Sequence, residues 1–318
     1  MTTGAKTIDK QQLVGRDFLT LADYTTEEIA YLLDLAIKLK EQRKSGNVEQ
    51  PLKGKTLGMI FEKSSTRTRV SFEAGIYQLG GTGLFLSSKD IQIGRGEPIS
   101  DTAQVLSGYL DGIMIRTFSQ AVVEELAEFS SIPVINGLTD LYHPCQVLAD
   151  MQTIQEVKGK LDGIKVAYIG DGNNMAHSLM IGAAKMGMDI SIAAPEGYQP
   201  EESITNKAKS IAAKSEIVVT ESPLEAIKDA DVIYTDVWAS MGQESEQQQR
   251  EKAFAGFQVN EELVAHAKSD AIFMHCLPAH RGEEVTAEII DGKHSVVFQQ
   301  AENRLHAQKA LMTALMDN

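Results

Sequence analysis

Hydroxyl groups and positive charge are concentrated in one short segment, Ser65-Thr66-Arg67-Thr68-Arg69. The segment follows the apolar run 57–61 and precedes a helix-like stretch, so it is expected at a helix N-terminus. The first turn of a helix has unpaired N–H groups and a partial positive charge, which favour an anion. Arginine adds fixed charge and can bind phosphate through two parallel hydrogen bonds. We therefore predict a phosphate site; the structural alternative is a helix cap by Ser65 with the arginines in solvent.

A second candidate pair opens a predicted helix over 143–159. His143 and Gln146 lie three residues apart, and Pro144 between them is typical of a first helical turn. Their side chains can donate hydrogen bonds to a carbonyl oxygen and its attached amide. A structural histidine is the alternative interpretation. Cys145 is predicted to be a small core residue.

Gly170-Asp171-Gly172-Asn173-Asn174 ends one predicted strand and begins a helix. It resembles part of a dinucleotide-binding fingerprint, although Met175 occupies the third glycine position. One interpretation is therefore an NAD-linked oxidoreductase. The others are a glycine turn without chemistry and a pair of asparagines that binds an amino-acid head group.

Asp236 and Cys276 end the predicted strands 231–237 and 271–277. Ligands of open α/β sheets bind at the carboxyl ends of the strands, so both residues are site candidates. Asp236 could anchor an ammonium group or cap a turn, and Cys276 could contact an amine or be a buried apolar residue. Neither Cys145 nor Cys276 has metal-ligand spacing around it, so no metal is predicted.

Strand and helix patterns alternate along the chain, which is typical of parallel sheets covered by helices. The predicted strands are 55–61, 82–87, 111–117, 132–136, 165–170, 189–194, 216–220, 231–237, 271–277 and 295–299. We predict an α/β protein with two doubly wound parallel-sheet domains, 1–150 and 151–301. The helix over 143–159 would join them, and the C-terminal helix 302–318 would pack back on the first domain. The polar run 242–252 is predicted to be an exposed loop.

Composition excludes several classes of function. The 318 residues include 30 Lys+Arg against 44 Asp+Glu, a net charge of -14, which argues against nucleic acid as a partner. No apolar run approaches the ~18 residues of a membrane span, and the N-terminal segment lacks the apolar stretch of a signal peptide. We therefore expect a cytoplasmic protein with both cysteines reduced and no membrane association.

Five segments together resemble the aspartate/ornithine carbamoyltransferase family. In chain order they are Ser65–Arg69, His143–Gln146, Asp236–Gly242, His275-Cys276-Leu277-Pro278 and Ala301-Glu302-Asn303-Arg304. The resemblance extends from Phe61 to the last helix. Gln92 stands where the aspartate enzymes have lysine, and Ser240-Met241-Gly242 is similar to the ornithine branch.

The resemblance implies transfer of a carbamoyl group from carbamoyl phosphate to the δ-amine of ornithine, without a cofactor or metal. It also implies a homotrimer, or a multiple of trimers, with shared active sites, and a role in arginine biosynthesis. Putrescine as the acceptor and a catabolic role in arginine breakdown are the alternatives within the family. A non-catalytic protein that binds carbamoyl phosphate is the alternative outside enzymes.

The resemblance also assigns roles to individual residues. The predicted carbamoyl phosphate residues are Ser65, Thr66, Arg67, Thr68, Gln92, Arg116, His143, Gln146, Cys276, Leu277 and Arg304, with Gln92 coming from an adjacent subunit. The predicted ornithine residues are Asn174, Asp236, Ser240 and Met241. The predicted catalytic residues are Arg67, Arg116, His143, Asp236 and Cys276.

Overall fold

The computed structural model describes residues 8–239 and 244–317, and it divides into two compact units. The first unit runs to Gln152 and resumes at Asn303, whereas the second comprises Thr153–Glu302. Helix α5 (Pro144–Lys158) therefore begins in the first unit and ends in the second. The C-terminal helix crosses the division again, so most of that helix belongs to the first unit.

The first unit is built on a four-stranded parallel sheet of order β2-β1-β3-β4. Its strands are β1 (Thr56–Phe61), β2 (Thr82–Ser87), β3 (Gly112–Arg116) and β4 (Val134–Leu138). Its helices before α5 are α1 (Thr26–Ser45), α2 (Thr66–Gln78), α3 (Ile99–Ser107) and α4 (Gln120–Phe129). Short 3₁₀ turns lie at Lys10–Gln12, Leu21–Asp23 and Gln92–Arg95.

Helix α1 shows how local sequence sets these bounds. Thr25 and Glu28 form a capping box, in which each side chain accepts a hydrogen bond from the other residue's backbone N–H. Ile29 and Leu32 lie on the inner face and are fully buried. Gly46 ends the helix at a φ of 75°, a left-handed conformation that glycine adopts without strain.

The second unit is built on a five-stranded parallel sheet of order β7-β6-β5-β8-β9. Its strands are β5 (Lys165–Ile169), β6 (Asp189–Ala193), β7 (Ile217–Thr220), β8 (Val232–Thr235) and β9 (Ile272–His275). Its helices are α6 (Asn174–Met186), α7 (Glu202–Ile211), α8 (Pro223–Ile227), α9 (Gln247–Ala253), α10 (Glu261–Val264) and α11 (Ala287–Ile290), followed by α12 (Val297–Met316). A 3₁₀ turn at Glu244–Glu246 precedes α9.

Each sheet reverses its strand order at one place, between β1 and β3 in the first unit and between β5 and β8 in the second. Ligands of doubly wound sheets bind outside the carboxyl ends of the strands at such a switch point. In the first unit, the segment 62–68 follows β1 and Arg116 ends β3. In the second unit, the segment 170–174 follows β5 and Asp236 follows β8. The prediction of two parallel-sheet α/β domains is confirmed, and seven of the 15 predicted site residues lie at these two places.

Two sequence predictions are wrong. The segment 295–299 is not a strand: Ser295 forms a single parallel bridge with Phe273, and α12 begins at Val297. The apolar residues there are too few for a strand and lead directly into helix-forming residues, so Phe298 lies on an exposed helix face, 72% accessible. The polar run 242–252 is not a loop from residue 244 onward, because it forms the 3₁₀ turn and most of α9.

Within residues 8–239 and 244–317, no helix combines the length and apolar character needed to cross a bilayer.

Candidate functional site

The predicted phosphate segment forms the N-terminus of α2. Ser65 is the N-cap, and its Oγ accepts a hydrogen bond from the backbone N–H of Thr68 at 3.1 Å. Thr66 begins the helix and is exposed, Arg67 is half-buried, and Thr68 is fully buried. The cap predicted as the alternative to phosphate binding is therefore present, and it leaves the other N–H groups of the first turn for a ligand.

Arg304 reaches this helix from the far end of the chain. Its guanidinium Nη2 donates to Thr68 Oγ1 at 2.8 Å, across 236 positions of sequence, and Arg304 itself is 3% exposed. From the sequence, only the family resemblance places Arg304 with the segment 65–68. The contact gives it a physical basis, because a buried arginine now lies at the positive end of α2.

His143 lies directly before α5 and is buried among arginines. Burial, together with the positive charges of Arg304, Arg116 and Arg67, holds the pKa of His143 well below its usual range. The imidazole is therefore neutral near pH 7 and can act as a hydrogen-bond donor or acceptor without adding charge. The structure therefore brings the three predicted arginines close enough to His143 for their charges to lower its pKa.

Gln146 is fully buried one turn into α5. Its Nε2 donates to Asp150 Oδ1 at 2.8 Å, which fixes the orientation of the amide. Among the described residues, the Gln146 Oε1 atom accepts no hydrogen bond. A buried acceptor of this kind suits an NH2 group, because a polar atom without a partner is costly in the interior.

Cys145 fulfils its predicted core role. It is fully buried, its Sγ donates to the Asn136 carbonyl at 3.3 Å, and burial raises the pKa of the thiol to about 12. Gln92, in contrast, is exposed on the 3₁₀ turn after β2. Its predicted role in the site of an adjacent subunit stays a prediction.

The second unit brings together Asp236, Asn173 and Cys276. Asp236 is 6% exposed; its Oδ1 accepts from Cys276 Sγ at 3.0 Å, and its Oδ2 accepts from Asn173 Nδ2 at 3.2 Å. Strands β8 and β9 explain the first contact, since Thr235 and His275 are register partners and the next residues follow at the same edge. The resemblance assigns Asn174 to ornithine, whereas Asn173 is the N-cap of α6 and the direct partner of Asp236.

Leu277 follows Cys276 in an unusual backbone conformation, with a φ of 59°. Its N–H donates to His275 Nδ1 at 2.8 Å, so the ring proton lies on Nε2, which contacts Glu284 Oε1 at 3.1 Å. His275 and Glu284 are both buried. Non-glycine residues in the left-handed region concentrate at functional sites, and here the buried pair fixes the turn that carries Cys276.

Asp236, Cys276 and His275 have possible ligand atoms within 4.8 Å of one another, as do His280, Glu283 and Glu284. In the first group both ring nitrogens of His275 already have protein partners. That group is therefore accounted for by hydrogen bonds within the second unit.

The two glycines after β5 are needed for backbone conformation and close packing. Gly170 has a φ of 149°, and a Cβ on Gly172 would lie 2.2 Å from the nitrogen of Pro200. Both positions therefore need glycine for the turn and for close packing of the neighbouring loop. This agrees with the structural interpretation of the Gly-x-Gly pattern and needs no dinucleotide.

Asn174 is the first residue of α6 and is half-buried, three residues beyond Asp171. Ser240 and Met241, the other predicted ornithine residues, lie outside the described residues. The sequence interpretation missed Arg250, a buried arginine in the run expected to be a loop. One signal was available: Glu246 and Arg250 are four apart with opposite charge, a spacing that favours helix.

Comparison with known families gives two matches that together span most of the chain. Residues 16–156 match the carbamoyl-P binding domain of aspartate/ornithine carbamoyltransferases. Residues 162–315 match the Asp/Orn binding domain of the same enzymes.

Individual proteins show the same similarity. The chain is 72% identical over 320 residues to an ornithine carbamoyltransferase of Oceanobacillus iheyensis, covering 99% of each sequence. It is 62% identical over 312 residues to that of Bacillus subtilis, covering 98% of this chain and 97% of the relative. Among solved structures, ornithine carbamoyltransferase from Pyrococcus furiosus superposes with a TM-score of 0.93 at 56% identity, covering 96% of this chain and 98% of that one. The anabolic ornithine carbamoyltransferase of Campylobacter jejuni gives 0.88 at 46% identity, covering 93% and 97%.

Proposed function

The chain belongs to the aspartate/ornithine carbamoyltransferase family, and we propose that it transfers the carbamoyl group of carbamoyl phosphate to the δ-amine of L-ornithine. The products are L-citrulline and phosphate. The observation that carries the proposal is the opposite charge of the two switch-point sites. Arginines surround His143 in the first unit, whereas carboxylates lie after β5 and β8 in the second. The first suits a phosphate dianion and the second suits an amino acid with two amines.

In the first unit, the N-terminus of α2 would hold the phosphate, through Ser65, Thr66, Arg67 and Thr68. Arg304 supports this assignment because its guanidinium already contacts Thr68. Domain 1–150 with the helix 302–318 would thus be the carbamoyl phosphate domain, and 151–301 would be the ornithine domain.

The carbamoyl group would lie against Arg116, His143 and Gln146. A neutral imidazole can donate to the carbonyl oxygen, while the buried Gln146 Oε1 can accept from the NH2 group. Leu277 and Cys276 would also contact this group. Gln92 would come from an adjacent subunit of a homotrimer, or of a multiple of trimers.

The reaction proceeds by attack of the δ-nitrogen lone pair on the carbamoyl carbon. A C–N bond forms, a tetrahedral oxyanion develops, and the C–O bond to phosphate breaks with its electron pair. The nitrogen loses one proton, which leaves with the departing group as HPO4²⁻. Arg67, Arg116 and Arg304 would stabilise the charge on the oxyanion and on the departing phosphate. One preorganised donor of this kind is typically worth on the order of 3 kcal/mol.

The attacking amine must be neutral. If its pKa resembles that of lysine, about 10.4, deprotonation at pH 7.5 costs roughly 4 kcal/mol. A carboxylate beside it would raise this cost. We therefore assign Asp236 to the α-ammonium group, with Asn174, Ser240 and Met241 on the head group. Cys276, whose thiol donates to Asp236, is assigned to the δ-amine, so that the thiol and not the carboxylate contacts this amine.

The biological setting is part of the same proposal. We assign the enzyme to arginine biosynthesis in the cytoplasm. Similarity to the anabolic ornithine carbamoyltransferase of Campylobacter jejuni supports the biosynthetic role. The two free cysteines, which favour a reducing environment, support the cytoplasmic location.

A colorimetric citrulline assay tests the proposal. Purified protein and carbamoyl phosphate are mixed with ornithine, putrescine or aspartate, and carbamoylated product and phosphate are measured in parallel. We expect stoichiometric citrulline and phosphate from ornithine, with less than about a hundredth of that rate from the other two amines. Preferred turnover of putrescine or aspartate would refute ornithine as the acceptor, and no turnover of any amine would refute the transferase.

A further inference from the structure

Arg250, on α9, is almost completely buried, with 6% of its surface exposed. Its Nη1 donates to Asp171 Oδ2 and to the Trp238 carbonyl, both at 2.9 Å, and its Nε donates to Glu246 Oε2 at 3.0 Å. The guanidinium also lies over the ring of Tyr198, 5.0 Å from its centroid. These four contacts hold the Arg250 side chain in one conformation inside the second unit.

Two of these partners belong to the turns that carry the ornithine candidates. Asp171 lies three residues before Asn174 in the turn after β5, and Trp238 lies two residues after Asp236 in the turn after β8. Strands β5 and β8 are neighbours in the sheet. Arg250 therefore ties together the two turns that flank the switch point, through one carboxylate and one backbone carbonyl.

We propose that Arg250 is a positioning residue for ornithine, which holds the turns after β5 and β8 so that Asn174 and Asp236 face the amino acid at the correct separation. The inference rests on the proposed function. Arg250 acts through Asp171 and Trp238 and has no assigned contact with substrate. The direct Asn173–Asp236 hydrogen bond, at 3.2 Å, spans the same two turns and depends on the same separation.

The geometry requires arginine. The planar guanidinium donates from two nitrogens in fixed directions, whereas a lysine ammonium is a single point charge that cannot reproduce them. Glutamine would also leave Asp171 buried without a cation, which is strongly unfavourable. Lysine should therefore restore part of the function that glutamine loses.

The test compares Arg250→Gln and Arg250→Lys with wild type, measuring KM for ornithine, kcat, the Kd of carbamoyl phosphate and the thermal midpoint. We expect Arg250→Gln to raise KM for ornithine at least tenfold, equivalent to about 1.4 kcal/mol, with carbamoyl phosphate Kd within twofold. The KM of Arg250→Lys for ornithine should lie between the values of wild type and Arg250→Gln. The matched control is Arg281→Gln, an exposed arginine of the same unit that binds Asp291 through two nitrogens, at 2.8 and 2.6 Å.

A purely structural role gives a different result. It would lower the thermal midpoint and the active fraction while KM for ornithine stays within twofold of wild type in both variants, and that result would overturn the inference. If Arg250→Gln does not fold, the isosteric Asp171→Asn takes its place, with the same expected rise in KM and the same overturning outcome.

The double variant Arg250→Lys with Asp171→Asn adds a second criterion. If both residues act through one contact, its KM should rise by less than the product of the two single effects. Independent effects that multiply would overturn the assignment of Asp171 as the link. A wild-type protein that forms no citrulline would overturn the proposed function and this inference together, whereas an active wild type with unchanged variants overturns only the inference.

Discussion

The two units have sites of opposite charge at equivalent places in their sheets. In the first, three arginines act on one buried histidine, which is kept neutral. In the second, burial and the nearby charge of Asp236 raise the pKa of Asp171 to about 6 despite Arg250. The same topology thus presents a cationic site in one unit and an acidic one in the other. The charge of a site is set by the turns after the strands, and the sheet only places them.

The strongest test of the cationic site is Arg67→Gln. Because the proposed role of Arg67 is to stabilise charge that forms during transfer, turnover should fall on the order of 100- to 1000-fold, beyond any loss of affinity. Single-turnover measurements with saturating carbamoyl phosphate separate the two effects. Arg43→Gln, an exposed arginine of the same unit, is the control and should retain full turnover. Single-turnover rates of Arg67→Gln equal to wild type would remove the contrast between the units.

Asp171→Asn tests the acidic site through stability. The folded protein holds the Asp171 proton up to a pKa of about 6, whereas the ordinary pKa of an aspartate in the unfolded chain is 3.8. The folded state therefore binds more protons between these values, and the contribution of Asp171 to the free energy of unfolding falls as pH rises from about 4 to 6. The decrease should be about 3 kcal/mol relative to Asp171→Asn.

Urea unfolding of both proteins from pH 4 to 7 measures this difference. Asp270→Asn is the control with the opposite sign, since Lys158 lowers the pKa of that exposed carboxyl and its contribution is lost as pH falls. If the free energy of unfolding of wild type rises with pH relative to that of Asp171→Asn, the raised pKa of Asp171 is contradicted.

The smallest expected effect is that of Cys276→Ala in the second unit, with Cys145→Ala in the first unit as the control. Cys276→Ala should lower kcat/KM for ornithine about tenfold and alter its pH profile, because the variant loses a hydrogen bond to the amine. Cys145→Ala should leave both unchanged, since that thiol is buried with a pKa of about 12. An unchanged pH–rate profile and turnover in Cys276→Ala would end the assignment of Cys276 to the δ-amine.

Much of the fold was predictable because its signals are local. The Thr25 capping box, the Ser65 cap and the apolar alternation of the strands each depend on residues within a few positions. The failures share a cause. Residues 295–299 have strand-like composition, yet only Ser295 finds a strand partner. The run 242–252 has the composition of a solvated loop because two partners that bury Arg250, Asp171 and the Trp238 carbonyl, lie outside the run.

The amino-acid sequence by itself determined the alternation of strands and helices, the hydroxyl and arginine cluster at a helix N-terminus, and the order of segments that identifies the family. These follow from short-range backbone geometry and from residue type. The tertiary structure alone decided that Arg304 contacts Thr68, that His143 is neutral and that Asp171 retains its proton to a pKa of about 6. Burial and charge act through space, so the ionisation of a side chain depends on neighbours that chain folding brings together.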